Sequence, residues 1–315
     1  MKHATTMVSQ VEQYLALRRR LGFDLRVAGS QLLAFARFAD ASDDRGPITL
    51  DLAVRWARSS ERAKPITWAR RLELLRPFAR YRLQFNPATE VPPLHLLGPA
   101  HPRLAPHIYT AEEIASLLEA ANALSPKEGL RPVTYQTLFG LIAATGLRVS
   151  EARALTRADV DLTGGVLTVR NSKFRKSRLV PLHATSVRAL KRYAEIRDRK
   201  VPLVHTAAFF VSDRGKPLDK RTVHYTFAKL RQQLGWRARG GHPAPRIHDL
   251  RHTFICQALL RSCRKRRSPE HGIEALSTYV GHAKVTETYW YVTGIPELMA
   301  LAARRFERYA HGDSQ

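Results

Sequence analysis

The chain has 315 residues, with 52 Lys and Arg against 27 Asp and Glu, a formal charge of +25 and a pI near 10.9. That length exceeds what one core usually holds, so two domains are expected; the charge calls for a large polyanion, nucleic acid first and an anionic membrane surface second. The longest apolar run, Leu138 to Ala144, is broken by Gly140 and too short to span a bilayer, and MKHATTMVSQVEQYLALRRR lacks an apolar signal core, so no membrane attachment and a soluble, cytoplasmic protein are expected.

Residues 8–86 alternate helical apolar spacing with punctuation. Val11 and Leu15 share a face, as do Leu32, Phe35 and Phe38, then Val54 near Trp56, then Leu72, Leu75 and Phe78. A four-helix unit over 1–90 is expected. Its last helix carries Arg70, Arg71, Arg76, Arg80 and Arg82, either a phosphate-facing edge or a solvated face. The Pro-rich passage EVPPLHLLGPAHPRLAP reads as an inter-domain linker, placed at 91–106.

Thr110 with Glu113 makes a capping box and opens a second domain over 107–315. The spacing there predicts helices with one β interruption, a mainly α fold with a small antiparallel β-sheet. Asp159 to Leu162, Gly165 to Arg170 and Arg178 to Leu182 alternate as three short strands, Gly164 and Gly165 turning the first pair. The basic tip NSKFRKS joins the second pair. After an apolar run from Phe209 to Ser212, Asp219 caps a helix with Val223, Phe227, Leu230 and Leu234 on one stripe. Cys256 and Cys263 form no CxxC pair, so neither a disulfide framework nor a thiolate zinc site is indicated.

Four segments carry chemistry-bearing residues. In ATGLRVSE, Gly146 can end one helix and Arg148 start the next, where free N–H groups and the helix dipole favour an anion; the bland alternative pairs Arg148 with Glu151. In the hairpin tip, Lys173 lies beside Arg175, Lys176 and Arg178, placed for a DNA groove or simply for solubility. In RIHDLRHTF, His248 and Arg251 are neighbours on one helical face; His248 and His252 have zinc-like spacing, but Asp249 stands where HExxH needs glutamate, so no metal is expected. In GHAKVTETYWYVTG, His282 precedes the cluster Tyr289, Trp290 and Tyr291, whose ordinary reading is packing. One unbroken helix from His282 would put Tyr289 on its face, whereas Thr286 can cap a fresh helix. Two arginines, two histidines, a lysine and a tyrosine suit metal-free attack on a phosphodiester, because guanidinium groups can neutralise the non-bridging oxygens and a phenol needs a cationic pocket and a proton acceptor.

With ATGLRVSE, the hairpin lysine eight residues before Pro181, HDLRHTF, the Gly-His pair and a Tyr nine residues beyond that histidine, the sequence resembles the tyrosine recombinase, or phage integrase, family, including Xer-like and transposon-borne enzymes. The resemblance spans roughly residues 105–300 and implies a C-terminal tyrosine recombinase catalytic domain behind a SAM-like helical core-binding domain. It implies Arg148 and Arg251 as the phosphate clamp, Lys173 as general acid, His248 handling the nucleophile's proton, His282 supporting the phosphate and Tyr291 as nucleophile. Tyr289 and Trp290 are then packing beside the site. Cofactor and metal are not implied. The implied reaction is site-specific recombination of double-stranded DNA through a 3′-phosphotyrosyl intermediate, by a homo-tetramer on two duplexes. The alternatives are type IB topoisomerase-like relaxation and a non-catalytic DNA-binding protein of the same fold. The tail ELMALAARRFERYAH reads as an amphipathic helix that docks on a neighbouring subunit, the alternative being packing onto its own domain. The interval from Arg251 to His282 is longer than the family's usual one; its basic insertion, with Arg261, Arg264, Lys265, Arg266 and Arg267, is either an extra DNA contact or a solvated loop.

Overall fold

The computed structural model describes residues 6–42, 46–60, 62–170, 177–202, 206–264 and 269–293, with four further positions between 299 and 307. By packing, the chain divides into Met1–Arg103 and Leu104–Gln315. No described helix is long and apolar enough to cross a membrane.

The first unit is helical: α1 (Met7–Arg20), α2 (Arg26–Ala41), α3 (Leu50–Arg58) and α4 (Pro65–Leu83). Thr6 and Thr49 cap α1 and α3 by accepting from the Ser9 and Leu52 amides. The apolar stripes meet in a core of Val11, Leu15, Phe35, Leu52, Trp56, Leu75 and Phe78. The arginines of α4 do something neither sequence alternative named. Arg70 donates to the Ala100 carbonyl at 2.9 Å, Arg71 to those of Trp56 and Ala57 at 3.2 Å, and Arg76 to that of Pro92. Arg80 remains exposed.

These bonds also bear on the expected linker. Val91 and Leu97 pack against the helical core and Ala100 is buried, so residues 91–103 lie on the first unit. Proline removes backbone donors but leaves acceptors, and the α4 guanidinium groups use them. Ala105 instead accepts from the Gly241 amide at 2.9 Å, within the second unit.

The second unit runs α5 (Ala111–Asn122), α6 (Arg131–Thr145), α7 (Val149–Ala154), β1 (Val160–Asp161), β2 (Val166–Val169), β3 (Arg178–Pro181), α8 (Ala184–Lys200), α9 (Lys220–Gln233), α10 (Ile247–Arg264), α11 (Pro269–Val280) and α12 (Thr286–Thr293). The Thr110–Glu113 capping box forms, and the Asp219 side chain accepts from the Arg221 and Thr222 amides. The sheet is antiparallel in the order β1-β2-β3, with Leu167 opposite Val180 and Val169 opposite Arg178. Helix α6 is buried nearly all round, and its Leu138 and Phe139 share the main core with Leu167, Tyr193, Phe210, Phe227 and Leu250. A smaller core joins α10, α11 and α12 through Ile255, Leu259, Ile273, Val280 and Tyr291. The expected C-terminal docking helix and Lys265, Arg266 and Arg267 of the insertion lie almost wholly outside the described residues.

Candidate active site

The ATGLRVSE segment is a corner between two helices. Gly146 adopts φ +65° at the end of α6, where a Cβ would meet the Phe254 ring at 2.5 Å, so glycine is needed for conformation and for space. Leu147 is buried, and Arg148 becomes the residue before α7. The Arg148 amide donates to Glu151 Oε2 at 3.0 Å and its Nη1 to Oε1 at 2.8 Å. The pairing read from the sequence as the bland alternative is therefore real, yet it leaves Nη2 to reach the Gly281 carbonyl at 3.0 Å.

Gly281 ends α11, and its role explains the Gly-His pair. With φ +68°, it donates to the Thr278 carbonyl at 3.1 Å while the His282 amide donates to that of Ser277 at 3.0 Å, the two bonds of a Schellman cap. Three guanidinium groups from three elements take the next carbonyls in turn. Arg178 Nε bonds Tyr279 O at 2.8 Å, Arg251 Nη2 bonds Val280 O at 2.7 Å, and Arg148 Nη2 bonds Gly281 O. A helix C-terminus offers unpaired carbonyls and the negative end of the dipole, so it gathers cations that would otherwise repel one another. Glu151 adds a carboxylate between Arg148 and Arg178, whose Nη2 lies 2.9 Å from Oε2. Arg251, 2% exposed, also donates to the Gly146 carbonyl at 2.6 Å, tying the α6 corner to the α11 end. Burial and the neighbouring Arg148 charge lower its pKa to about 10, still protonated at neutral pH.

The HDLRHTF residues divide their tasks along α10. Asp249 accepts from the Arg246 amide and guanidinium at the helix start, Leu250 joins the main core, and Thr253 accepts from the Tyr109 amide at 2.9 Å. His248 and Arg251 lie on one face, as their spacing predicts, with His252 beside them. Solvent reaches the His248 ring, but the surrounding protein and the Arg251 charge hold its pKa down to about 4. His282 Nδ1 lies 2.7 Å from Thr288 Oγ1, and burial with the Arg251 and Arg148 charges lowers its pKa to about 3.

The chain breaks its helix between Gly281 and Val285 before α12 begins. Extrapolating one helix from His282 to Tyr289 therefore fails. Thr286 is the first residue inside α12 rather than its cap, since the Val285 carbonyl already accepts from Tyr289. Tyr291 points inward, 3% exposed, with its ring parallel to that of His282 at 6.3 Å. Its hydroxyl lies 2.5 Å from His252 Nδ1. Burial raises the phenol's pKa further than the Arg251 charge lowers it. Trp290 packs edge-on against Tyr291, whereas Tyr289, expected to pack there too, is 45% exposed.

Five of the six residues singled out thus meet in one place: Arg148, His248, Arg251, His282 and Tyr291. Lys173 lies outside the described residues. His252, Arg178 and Glu151 stood inside the quoted motifs, but their bonds to one another's partners depend on tertiary convergence. Among the described residues no group of three or more His, Cys, Asp or Glu is arranged to hold a metal ion.

Residues 108–295 match the phage integrase family. The putative integrase/recombinase y4rB of Sinorhizobium fredii is 42% identical over 308 residues, 96% of this chain and 98% of that protein. Tyrosine recombinase XerC of Chlamydia trachomatis serovar L2 is 30% identical over 71% of this chain and 66% of its own. Among solved structures, the Tn1549 transposon integrase in complex with transposon right end DNA shares the fold, with a TM-score of 0.68 at 17% identity over 97% of this chain and 99% of that one. With its helical architecture, its arginine-lined corner and these relatives, the chain belongs to the phage integrase family of tyrosine-type site-specific recombinases.

Proposed function

We propose that the chain cuts and rejoins double-stranded DNA at specific sites, with Tyr291 as the nucleophile. The observation that carries this reading is the convergence of Arg148, Arg251 and a buried phenol on the end of α11. Arg148 and Arg251 clamp the scissile phosphate and offset the charge that builds on its non-bridging oxygens. Tyr291 attacks phosphorus, forming a 3′-phosphotyrosyl link and releasing a 5′-hydroxyl whose oxygen takes a proton from Lys173. His282, held by Thr288, supports the phosphate. His248 stands beside Arg251 on one face of α10, where the Arg251 charge helps to hold it neutral. A 5′-hydroxyl of the partner duplex then reverses the step. One phosphodiester replaces another, so the exchange needs no external energy source.

Exchange between two duplexes calls for four protomers, and the tail after Pro296 is the segment assigned to docking on a neighbour. The proposed setting is the cytoplasm, where the basic chain meets DNA. A nicked suicide substrate tests the reading. Wild-type protein should trap a covalent adduct that mass spectrometry maps to Tyr291, and Tyr291→Phe should bind DNA normally and form no adduct. An adduct at Tyr289, or one persisting in Tyr291→Phe, overturns it.

A further inference from the structure

The family resemblance gives the nucleophile's proton to His248, but the hydroxyl of Tyr291 touches a different imidazole. His252 Nδ1 is 2.5 Å from that oxygen, with ring centroids 5.4 Å apart. His248 lies one turn earlier on α10 and meets the His252 ring edge to face at 4.6 Å and 89°. The described hydrogen bond to the Tyr291 hydroxyl comes from His252 and not from His248. We propose that His252 is a catalytic residue that takes the Tyr291 proton during DNA cleavage and returns it on rejoining. This assignment rests on Tyr291 being the nucleophile.

The surroundings hold the pair in place. Trp290 meets both rings, at 6.3 Å from His252 and 5.0 Å from Tyr291, so the imidazole is fixed against the phenol from a second side. Tyr291 is walled from solvent, which leaves water a poor alternative acceptor. A general base must lie within hydrogen-bond reach of the proton it removes, and His252 is the described side chain bonded to this hydroxyl.

At rest both members of the pair are neutral. Burial first, then His248, Arg246, Arg251 and His242, lower the His252 pKa to about 2, so the imidazole is neutral and Nδ1 can accept. Around the phenol, Arg251 and Arg148 act against Glu287 and burial. A phosphate entering between Arg148 and Arg251 brings negative charge that offsets the field disfavouring an imidazolium. Proton transfer is thereby coupled to the presence of DNA. As the Oη–P bond forms and the P–O5′ bond breaks, the phenolic proton moves to Nδ1 and the departing oxygen takes a separate proton from Lys173. On rejoining, the incoming 5′-hydroxyl gives its proton to that lysine and the imidazolium returns its own to Tyr291.

Cleavage of a nicked suicide substrate across a pH series distinguishes the possibilities. Wild type should trap the Tyr291 adduct; failure to do so removes the nucleophile reading itself, and this assignment with it. Given that adduct, His252→Gln should bind DNA as wild type and cleave roughly 100-fold more slowly, the general-base contribution. Its rate should climb with pH, and a fluorinated, more acidic tyrosine at position 291 should recover much of the loss. Wild-type rates with wild-type pH dependence in His252→Gln overturn the assignment while leaving Tyr291 in place. Should that variant fail to fold, 15N-histidine NMR of the intact protein decides. Tyr291→Phe removes only the hydroxyl and must shift the His252 Nδ1 signal; an unchanged signal overturns the proposal.

Discussion

Glu151 shows how one carboxylate makes a crowd of arginines tolerable. Burial pushes its pKa up, but the Arg178 guanidinium and the Arg148 backbone and side chain overcome this and leave it at about 2. A folded-state value so far below the ordinary 4.5 makes the ionised carboxylate worth about 3 kcal/mol of stability at neutral pH. That contribution is fully present above the ordinary value and is lost as the pH falls towards 2. Glu151→Gln should therefore destabilise the protein by about 3 kcal/mol at pH 7 in denaturant titrations, since it leaves buried guanidinium charge without its counter-ion. The gap between variant and wild type should close between pH 4.5 and 2. An equal gap at both ends of that range would mean that Glu151 acts through shape and not charge. Adduct formation should fall as well, because the same carboxylate orients Arg148.

At the scale of the element, the site is built on the end of α11, and Gly281 is its keystone. An alanine at φ +68° costs about 1–2 kcal/mol for the left-handed backbone alone, and its Cβ would stand 2.7 Å from Arg178 Nη1. Gly281→Ala should lower stability by about that amount and depress suicide-substrate cleavage by a larger factor, since Arg148, Arg178 and Arg251 lose their common anchor. Cleavage falling only in step with stability would separate the cap from the chemistry. Much of this framework was legible beforehand. Apolar spacing located α1 to α4, Thr110 and Asp219 marked helix starts, and Gly164 with Gly165 marked the hairpin, because caps, turns and periodicity are local. The convergence of Arg178, Arg251 and Arg148 on consecutive carbonyls was not legible, since nothing local says where distant guanidinium groups meet. Nor was the bond from His252 to Tyr291, because the chain turns after Gly281 and helical spacing cannot be carried across the turn. The Pro-rich stretch misled for a related reason: its prolines announced absent donors, while its packing rests on acceptors and on Val91, Leu97 and Ala100.

At the scale of the whole molecule, a charge of +25 on two separately cored units sets what DNA binding should look like. Each phosphate neutralised by Lys or Arg releases condensed counterions, so the logarithm of affinity falls linearly with the logarithm of salt, with a slope near −0.9 per contact. If both units lie on the duplex, their contacts add in the slope. In α4, Arg70, Arg71 and Arg76 each tether one guanidinium nitrogen to a backbone carbonyl, which restricts their reach without removing their charge. The exposed Arg80 of α4 and the exposed Arg19 and Arg20 in the last turn of α1 are the better candidates. Fluorescence anisotropy of a fixed duplex, titrated at several salt concentrations, should give the intact chain a steeper slope than residues 104–315 alone. Arg80→Glu in the intact chain should reduce that slope by about one contact and weaken binding to all sequences alike. Tethering should add the two units' contacts, so the intact chain should gain affinity mostly at low salt and lose it fastest as salt rises. Equal slopes for the intact chain and for 104–315 would show that the first unit neutralises no phosphate and would overturn this expectation.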